Sequence, residues 1–305
     1  MTLGTSRSLG RYFLLTALAG IIQSLVGCGL TSDQRKAVTS FSNGASDLGE
    51  ASADEFSQMP GVAVKLNTAL YSGGDPAISS EIRQGAYRNL YGNFTPARMA
   101  LRIQLAQNLQ KFGRLLNQLS TTSETDQLNI AAGNLSASLK SLPSNIKFVS
   151  DNNADAIEKV VENIGGIFVE RQRKNAITSI IDLYNPQIIG ACRLIHDNFD
   201  ILQPRLGEQM NLINGQLLQS TISTLRQQPD DTRIRAEEIS DYGLAFQTKA
   251  HIDTVYGSIV KSSEKCASAD EALVKAMSSN EFSLTDIVAF ETEIRQLAAA
   301  LKSAK

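Results

Sequence analysis

Three cysteines and two histidines carry most of the distinctive side-chain chemistry in this chain of 305 residues. The thiols of Cys28, Cys192 and Cys266 can be acylated, bridged to one another or bound to a metal. His196 belongs to the run His196-Asp197-x-x-Asp200. That spacing puts His196 and Asp200 one helical turn apart, where imidazole and carboxylate can share a cation. The run also lies beside the apolar Ile195 and Phe199, so we read it as the solvated edge of a core-facing helix. His251 has no comparable neighbour in the sequence. The chain contains no Gly-x-Ser-x-Gly elbow, no His-Glu-x-x-His, no phosphate loop and no dinucleotide fingerprint. We therefore assign no catalytic residue, no metal ligand and no cofactor. Glu237-Glu238 reads as ordinary surface charge, and Gly165-Gly166 as a helix defect or a close helix contact.

The residues before Cys28 explain why that thiol differs from the other two. Arg7 and Arg11 form a short basic start with no acidic residue, and a charge-free apolar run follows over residues 12–26. This run is interrupted by Thr16, Gln23 and Ser24, and is too short to span a bilayer, which takes ~20 apolar residues. A basic start, an apolar stretch and small residues before a cut site make a secretory signal. The ending Leu25-Val26-Gly27-Cys28 resembles the lipobox of bacterial lipoproteins. That resemblance implies diacylglycerol on the Cys28 thiol, cleavage just before it, and acylation of the new amino terminus. One acyl chain holds a protein only marginally, whereas two or more anchor it stably. Gly29, rather than Asp, follows the cysteine. By resemblance to enterobacterial lipoproteins, this favours the outer membrane within the bacterial envelope.

Composition narrows the partners of the expected mature chain. Removing residues 1–27 takes away two of the 29 basic residues and none of the 31 acidic ones, leaving a net charge near −4. Both signs are scattered without a basic block, so neither nucleic acid nor an anionic lipid surface is implied as a partner. Tryptophan is absent, which weakens any case for stacking on sugars or bases.

Apolar residues recur at helical rather than strand spacing, and the fold class that follows is all-α. Thr31-Ser32-Asp33-Gln34 has the form of a capping box opening a first helix. Its face, Phe41, Ala45, Leu48 and Ser52, is small and partly polar, with Gly44 and Gly49 nearby. Short helices are expected over residues 62–70 and 78–91, separated by Ser72-Gly73-Gly74-Asp75-Pro76. Thr95-Pro96 starts a helix with Thr at the N-cap and Pro in the first turn, running to about Leu119. Ser123-Glu124-Thr125-Asp126 opens the next, which ends at Leu142-Pro143. Folded back on each other, these two pair Leu116 with Leu128, Phe112 with Ala132, Leu109 with Leu135 and Leu105 with Leu139. Four apolar pairs in one register predict a helical hairpin over 95–142.

A longer helical signal begins near Asn153. Ile177, Ile181, Tyr184, Ile188, Cys192, Ile195, Phe199, Leu202 and Leu206 keep one phase through Asn185-Pro186. A kinked continuous helix therefore competes with a break, although proline inside a helix costs ~3 kcal/mol. The same holds at Pro204. The first clean stop is Gln227-Gln228-Pro229-Asp230-Asp231. A second helix then covers residues 232–279, with a stripe of Ile234, Tyr242, Ala245, Ile252, Tyr256, Ile259 and Cys266. In an antiparallel pair turning at Pro229, facing residue numbers add to 458. That register puts Phe199 opposite Ile259, Leu206 opposite Ile252, His251 opposite Gly207, and Cys192 opposite Cys266. An even pair of thiols in an oxidising compartment reads as a disulfide, here worth about 4 kcal/mol by the loop it closes. Ser283-Leu284-Thr285-Asp286 caps a last helix with the face Ile287, Phe290, Ile294, Leu297 and Leu301.

The expected architecture is an elongated antiparallel helical bundle with long coiled-coil-like hairpins. Residues 1–27 are the removed signal, and 28–94 hold the anchor, a first helix and irregular short helices. The 95–142 hairpin follows, and then 143–305 with the long hairpin and the last helix. Residues 28–305 form one domain. The long pair from about 188 to 228 is roughly 60 Å in length. With no long flexible linker after Cys28, the body stays close to the membrane. The functional expectation is a lipid-anchored scaffold or protein-binding module. It is held to the membrane through Cys28 and engages a protein partner at the turn Gln227, Gln228, Pro229, Asp230 and Asp231. Two other classes compete: an envelope hydrolase built from scattered carboxylates and His196, and a membrane-active protein of the helical pore-forming type. For the latter, residues 164–169 are too short an apolar tongue.

Overall fold

The computed structural model describes residues 29–72, 90–92, 94–121, 125–141, 151–162, 170–227, 232–279 and 281–304. Within them the protein is an all-α bundle: α1 (Ser32–Ser72), α2 (Pro96–Thr121), α3 (Thr125–Lys140), α4 (Asp151–Glu162), α5 (Glu170–Gln227), α6 (Thr232–His251), α7 (Gly257–Ser278) and α8 (Thr285–Ser303), with a π-helical turn (Ile252–Tyr256) joining α6 to α7. The anchor cysteine, the expected 78–91 helix up to Asn89, the glycine pair at 165–166 and residues 228–231 of the long turn lie outside the described residues.

The first helix starts where its cap dictates. Thr31 N–H donates to Gln34 Oε1 and Gln34 N–H donates to Thr31 Oγ1, each at 3.1 Å, which satisfies two amide donors reciprocally. Gln34 then donates its side-chain amide to the Ala276 carbonyl at 2.7 Å, fastening the start of α1 to the end of α7. The expected short helix over 62–70 is a correction: α1 runs unbroken through Pro60 to Ser72. Its packing explains the extension. The Phe41, Ala45, Leu48 and Ser52 face is fully buried and continues through Phe56 and Met59, so tertiary burial outweighs the lost amide at the proline.

What covers α1 is chiefly α2, running antiparallel in backbone contact. A Cβ built on Gly49 would lie 2.5 Å from the Gln110 amide nitrogen and 2.6 Å from the Ala106 carbonyl oxygen. One on Gly113 would lie 2.6 Å from the Ser46 nitrogen and collide with the Ser42 carbonyl. A third glycine, Gly44, admits the edge of the Phe290 ring from α8. The small, polar-looking face of α1 is therefore a close-packing face, where short side chains let two helix axes approach. The predicted hairpin of α2 and α3 is present, with Leu105, Leu109, Phe112, Leu116, Leu128, Ala132, Leu135 and Leu139 all buried. Thr95 caps α2, its hydroxyl accepting from the Arg98 amide at 3.4 Å. The last helix has Leu284 at its N-cap position without a side-chain cap bond; Ser283 Oγ accepts from the Thr285 amide at 3.2 Å instead.

The long hairpin is a single helix on its first side. The 58-residue α5 passes through Pro186 and Pro204 without interruption. Asp182 and Asp200, whose carbonyls lose their amide partners at these prolines, are exposed, so water can satisfy them. Cys192 and Cys266 form a disulfide with Cα atoms 5.9 Å apart. Around it Ile181, Tyr184, Ile188, Ile195 and Phe199 are buried, as are Ile259, Ala269 and Leu273 of α7.

Gln34 meets Ala276 at one end of α1, and Glu55 meets His251 farther along. The stretch of α1 between them is roughly 30 Å long. Beyond the level of Glu55, the 20 residues of α6 and the facing part of α5 extend by about another 30 Å. Gln227, at the end of α5, thus stands remote from Ser32.

Candidate functional site at the root of the hairpin

The hairpin leaves the body where one of its helices carries a proline and the other a π-helical turn. On one side is Pro204. On the other is the π-helical turn, into which one residue more than an α-helix allows is fitted. The two face each other: a Cβ on Gly257 would meet the Gln203 amide at 3.3 Å, and one on Gly207 would meet Asp253 Oδ1 at 4.0 Å. The register expected from the sequence places His251 opposite Gly207, and the structure corrects it. Asp253 takes that place, and His251 bonds Glu55 of α1. Val255 is buried beside Ile252 and Tyr256, three residues on from Ile252 along the same stripe.

Facing this junction from α1 is Glu55, only 3% exposed. His251 Nε2 lies 2.8 Å from its Oε2. The hydrogen bond to Glu55 raises the His251 pKa above its ordinary 6.5, with burial working against it. Burial pushes the Tyr256 phenol well above its usual range, and the nearby Glu55 charge adds to this, so Tyr256 keeps its proton. The ring of Tyr256 stands edge-on to Phe199 at 5.0 Å, and Phe199 packs on Phe56 at 4.6 Å. A carboxylate bonded to an imidazole is the orienting half of a hydrolytic triad. The nucleophile is not linked to it: the buried Ser52 hydroxyl, one turn from Glu55, makes no hydrogen bond. What the pair does chemically is bind the root of the hairpin to α1.

The linkage has a pH signature. A folded-state pKa raised above 6.5 contributes stability that is full below pH 6.5 and is lost as pH rises through the folded value. Glu55→Gln should therefore lower the melting temperature at pH 5.5 and matter progressively less toward pH 8. We expect roughly 1 kcal/mol, discounted for the partly exposed ring. A pH-independent loss would assign the effect to packing alone.

A second buried acid lies deeper. Asp270, one turn beyond Cys266, is fully buried and accepts a hydrogen bond from Asn185 Nδ2 at 2.8 Å on Oδ2, while Oδ1 has no partner. Burial pushes its carboxyl up to about 8, opposed by the Asn185 bond and assisted by the neighbouring Glu271 charge. A shifted carboxylate in a cleft would suit the hydrolase reading, but Asp270 has no exposed surface through which to reach a substrate.

Elsewhere the sequence-marked residues are spread apart. His196 Nδ1 lies 3.1 Å from Asp197 Oδ1, with Asp200 exposed. Among the described residues no group of three or more His, Cys, Asp or Glu could hold a metal ion, and no helix is long and apolar enough to cross a membrane. Gln227 is exposed at the end of α5, its side-chain amide 3.3 Å from Ser223 Oγ. Sequence reading misses Glu55 and Asp270 because both look like surface charges. The only available signal is their phase: each occupies an apolar stripe, Glu55 beside Phe56 and Asp270 four residues after Cys266. No protein-family model matches the chain, and no curated protein or solved structure shows significant similarity to it.

Proposed function

We propose that this is a lipid-anchored protein of the bacterial envelope, favouring the outer membrane, whose helical rod serves as a scaffold and presents the end of its long hairpin to a protein partner. The observation that carries this reading is the relation between the anchor motif and the fold. The Leu25-Val26-Gly27-Cys28 box precedes a helix that starts at Ser32 and is fastened at once to α7 through Gln34. An acyl group on Cys28 would then hold that end of the bundle against the bilayer, and the tip of the hairpin would be the point farthest from it. Support also comes from the interior of the bundle, which is filled by apolar side chains along most of α1, α2, α5 and α7. That leaves outward faces and the tip for recognition, and loops on rigid supports commonly carry binding.

Two experiments test the reading. Metabolic labelling with a fatty-acid probe should mark the wild type, which should fractionate with membranes, while Cys28→Ser should lose both label and membrane association. Equal labelling of the two would remove the anchor. Replacing Gln227, Gln228, Pro229, Asp230 and Asp231 with a Gly/Ser turn should leave helix content nearly unchanged and abolish crosslinking to the partner in intact cells. Undiminished crosslinking would move recognition to a lateral face.

A further inference from the structure

One side of the outer hairpin carries large apolar side chains in the open. Gly207 of α5 and Asp253 of the π-turn mark that side, since a Cβ on Gly207 would meet Asp253 Oδ1 at 4.0 Å across it. Leu218 and Ile222 follow Gly207 by about three and about four whole helical turns, and Phe246 and Ile239 precede Asp253 by about two and about four. All four therefore share the side, and they are between 42% and 60% exposed. Residues 209–225 of α5 contain no charged side chain, although the outward face of a solvated helix normally carries charge. Nine of those 17 residues are Asn, Gln, Ser or Thr, which suits a protein cover better than hydrocarbon, where such groups are costly.

The strip is complementary to itself. Gly207 is level with Asp253 and Gln203 with Gly257, and the two pairs give one register. In that register Phe246 stands at the height of residue 214 on α5, Gly243 at that of 217 and Ile239 at that of 221. A second copy related by a two-fold axis along the arm sets α5 of each copy over α6 of the other at equal height. Phe246 then falls on Gly215 of the other copy, Leu218 on its Gly243, and Ile239 between its Leu218 and Ile222. Nothing lies within 4 Å of the Cβ position of Gly215 or of Gly243, so each glycine leaves a hollow for the large side chain opposite. Two helices about 20 Å wide and about 30 Å long offer on the order of 600 Å² per copy. Two such faces bury about 1,200 Å², the lower edge of what a specific interface needs.

We propose that this side of the hairpin docks on a second copy of the chain, two arms lying parallel as a four-helix bundle with Phe246 seated on Gly215 and Leu218 on Gly243 of the other copy. The inference concerns a lateral face and does not rest on the lipid anchor or on a partner at the hairpin tip. The test is cysteine crosslinking in intact cells that express two differently tagged full-length copies. Gly215→Cys in one copy should link to Phe246→Cys in the other, and Leu218→Cys to Gly243→Cys, each at least tenfold above the unsubstituted chain. Leu218→Cys in both copies, and Arg233→Cys in both, should stay at that background. Phe246→Glu should reduce the Leu218–Gly243 link at least tenfold with helix content unchanged, because the ring is exposed within one copy. Background yield from both expected pairs in folded protein would overturn the dimer. Linkage of Leu218→Cys to itself in preference to Gly243→Cys would overturn the parallel register. A link from Phe246→Cys to a different protein, with none between copies, would overturn the choice of occupant.

Discussion

Alanine in place of Gly49 or Gly113 should strongly destabilise the bundle, although glycine to alanine inside a helix ordinarily stabilises by up to about 1 kcal/mol. The sign reverses because the added methyl meets backbone rather than a side chain that can rotate away. At Gly49 the obstacles are the Gln110 nitrogen and the Ala106 oxygen at 2.5 and 2.6 Å, and at Gly113 they are the backbone of Ser42 and Ser46. Relief requires α1 and α2 to move apart along a buried face that includes Phe41, Ala45, Leu48, Leu109, Phe112 and Leu116. Overpacking of this kind costs about 1–3 kcal/mol or more, and the normal helix gain is lost within it. Each variant should melt roughly 5–10 °C lower, and the double variant should fail to give a cooperative transition. Gly133→Ala is the internal control. Nothing lies within 4 Å of its Cβ position on α3, so it should melt at or slightly above the wild type. If Gly49→Ala and Gly113→Ala behaved like Gly133→Ala, the two helices would have to stand farther apart than they do here.

Replacing Asp270 with asparagine should have the opposite effect, and one that depends on pH. The Asp270 carboxyl is pushed by burial from an ordinary 3.8 up to about 8. In the unfolded chain it ionises above about 4, while in the fold it holds its proton until about 8. The folded state therefore binds the extra proton, and stability falls as pH rises across that window, levelling off above it. Asparagine keeps the oxygen that accepts from Asn185 and never ionises. The variant should match the wild type near pH 4 and exceed it increasingly up to pH 8. The ceiling on the gain at pH 8 is about 5 kcal/mol, since each tenfold change in proton affinity corresponds to ~1.4 kcal/mol, and relaxation around the acid will reduce it. Thermal melts at pH 4, 6 and 8 with the disulfide intact measure the difference. A gain that is the same at all three values would assign the effect to shape rather than to charge.

The close-packed glycines and the buried acid mark the boundary of what the amino-acid sequence determines by itself. Periodicity is a local property, and it sufficed for the apolar stripes of α2, α3, α5, α7 and α8, for the α2–α3 hairpin, and for the register that sets Cys192 opposite Cys266. Caps are equally local, so Thr31 with Gln34 and Thr95 before Pro96 were legible from a few adjacent residues. Continuity through Pro186 and Pro204 stayed open in the sequence, where an unshifted stripe competed with a break; α5 is continuous because the burial of one uninterrupted face outweighs two missing amides.

Tertiary structure decided which surface covers which. Gly44, Gly49 and Gly113 resemble helix-weakening residues until a neighbour is seen to need their missing side chains. Glu55 and Asp270 resemble solvated charges until helices close over them, and His251 acquires a partner only where α1 is brought against the hairpin. Each of these features depends on a contact between residues far apart in the chain. A helical period tells which side chains share a face, but not what lies opposite that face, and the opposing surface sets burial, charge state and close approach.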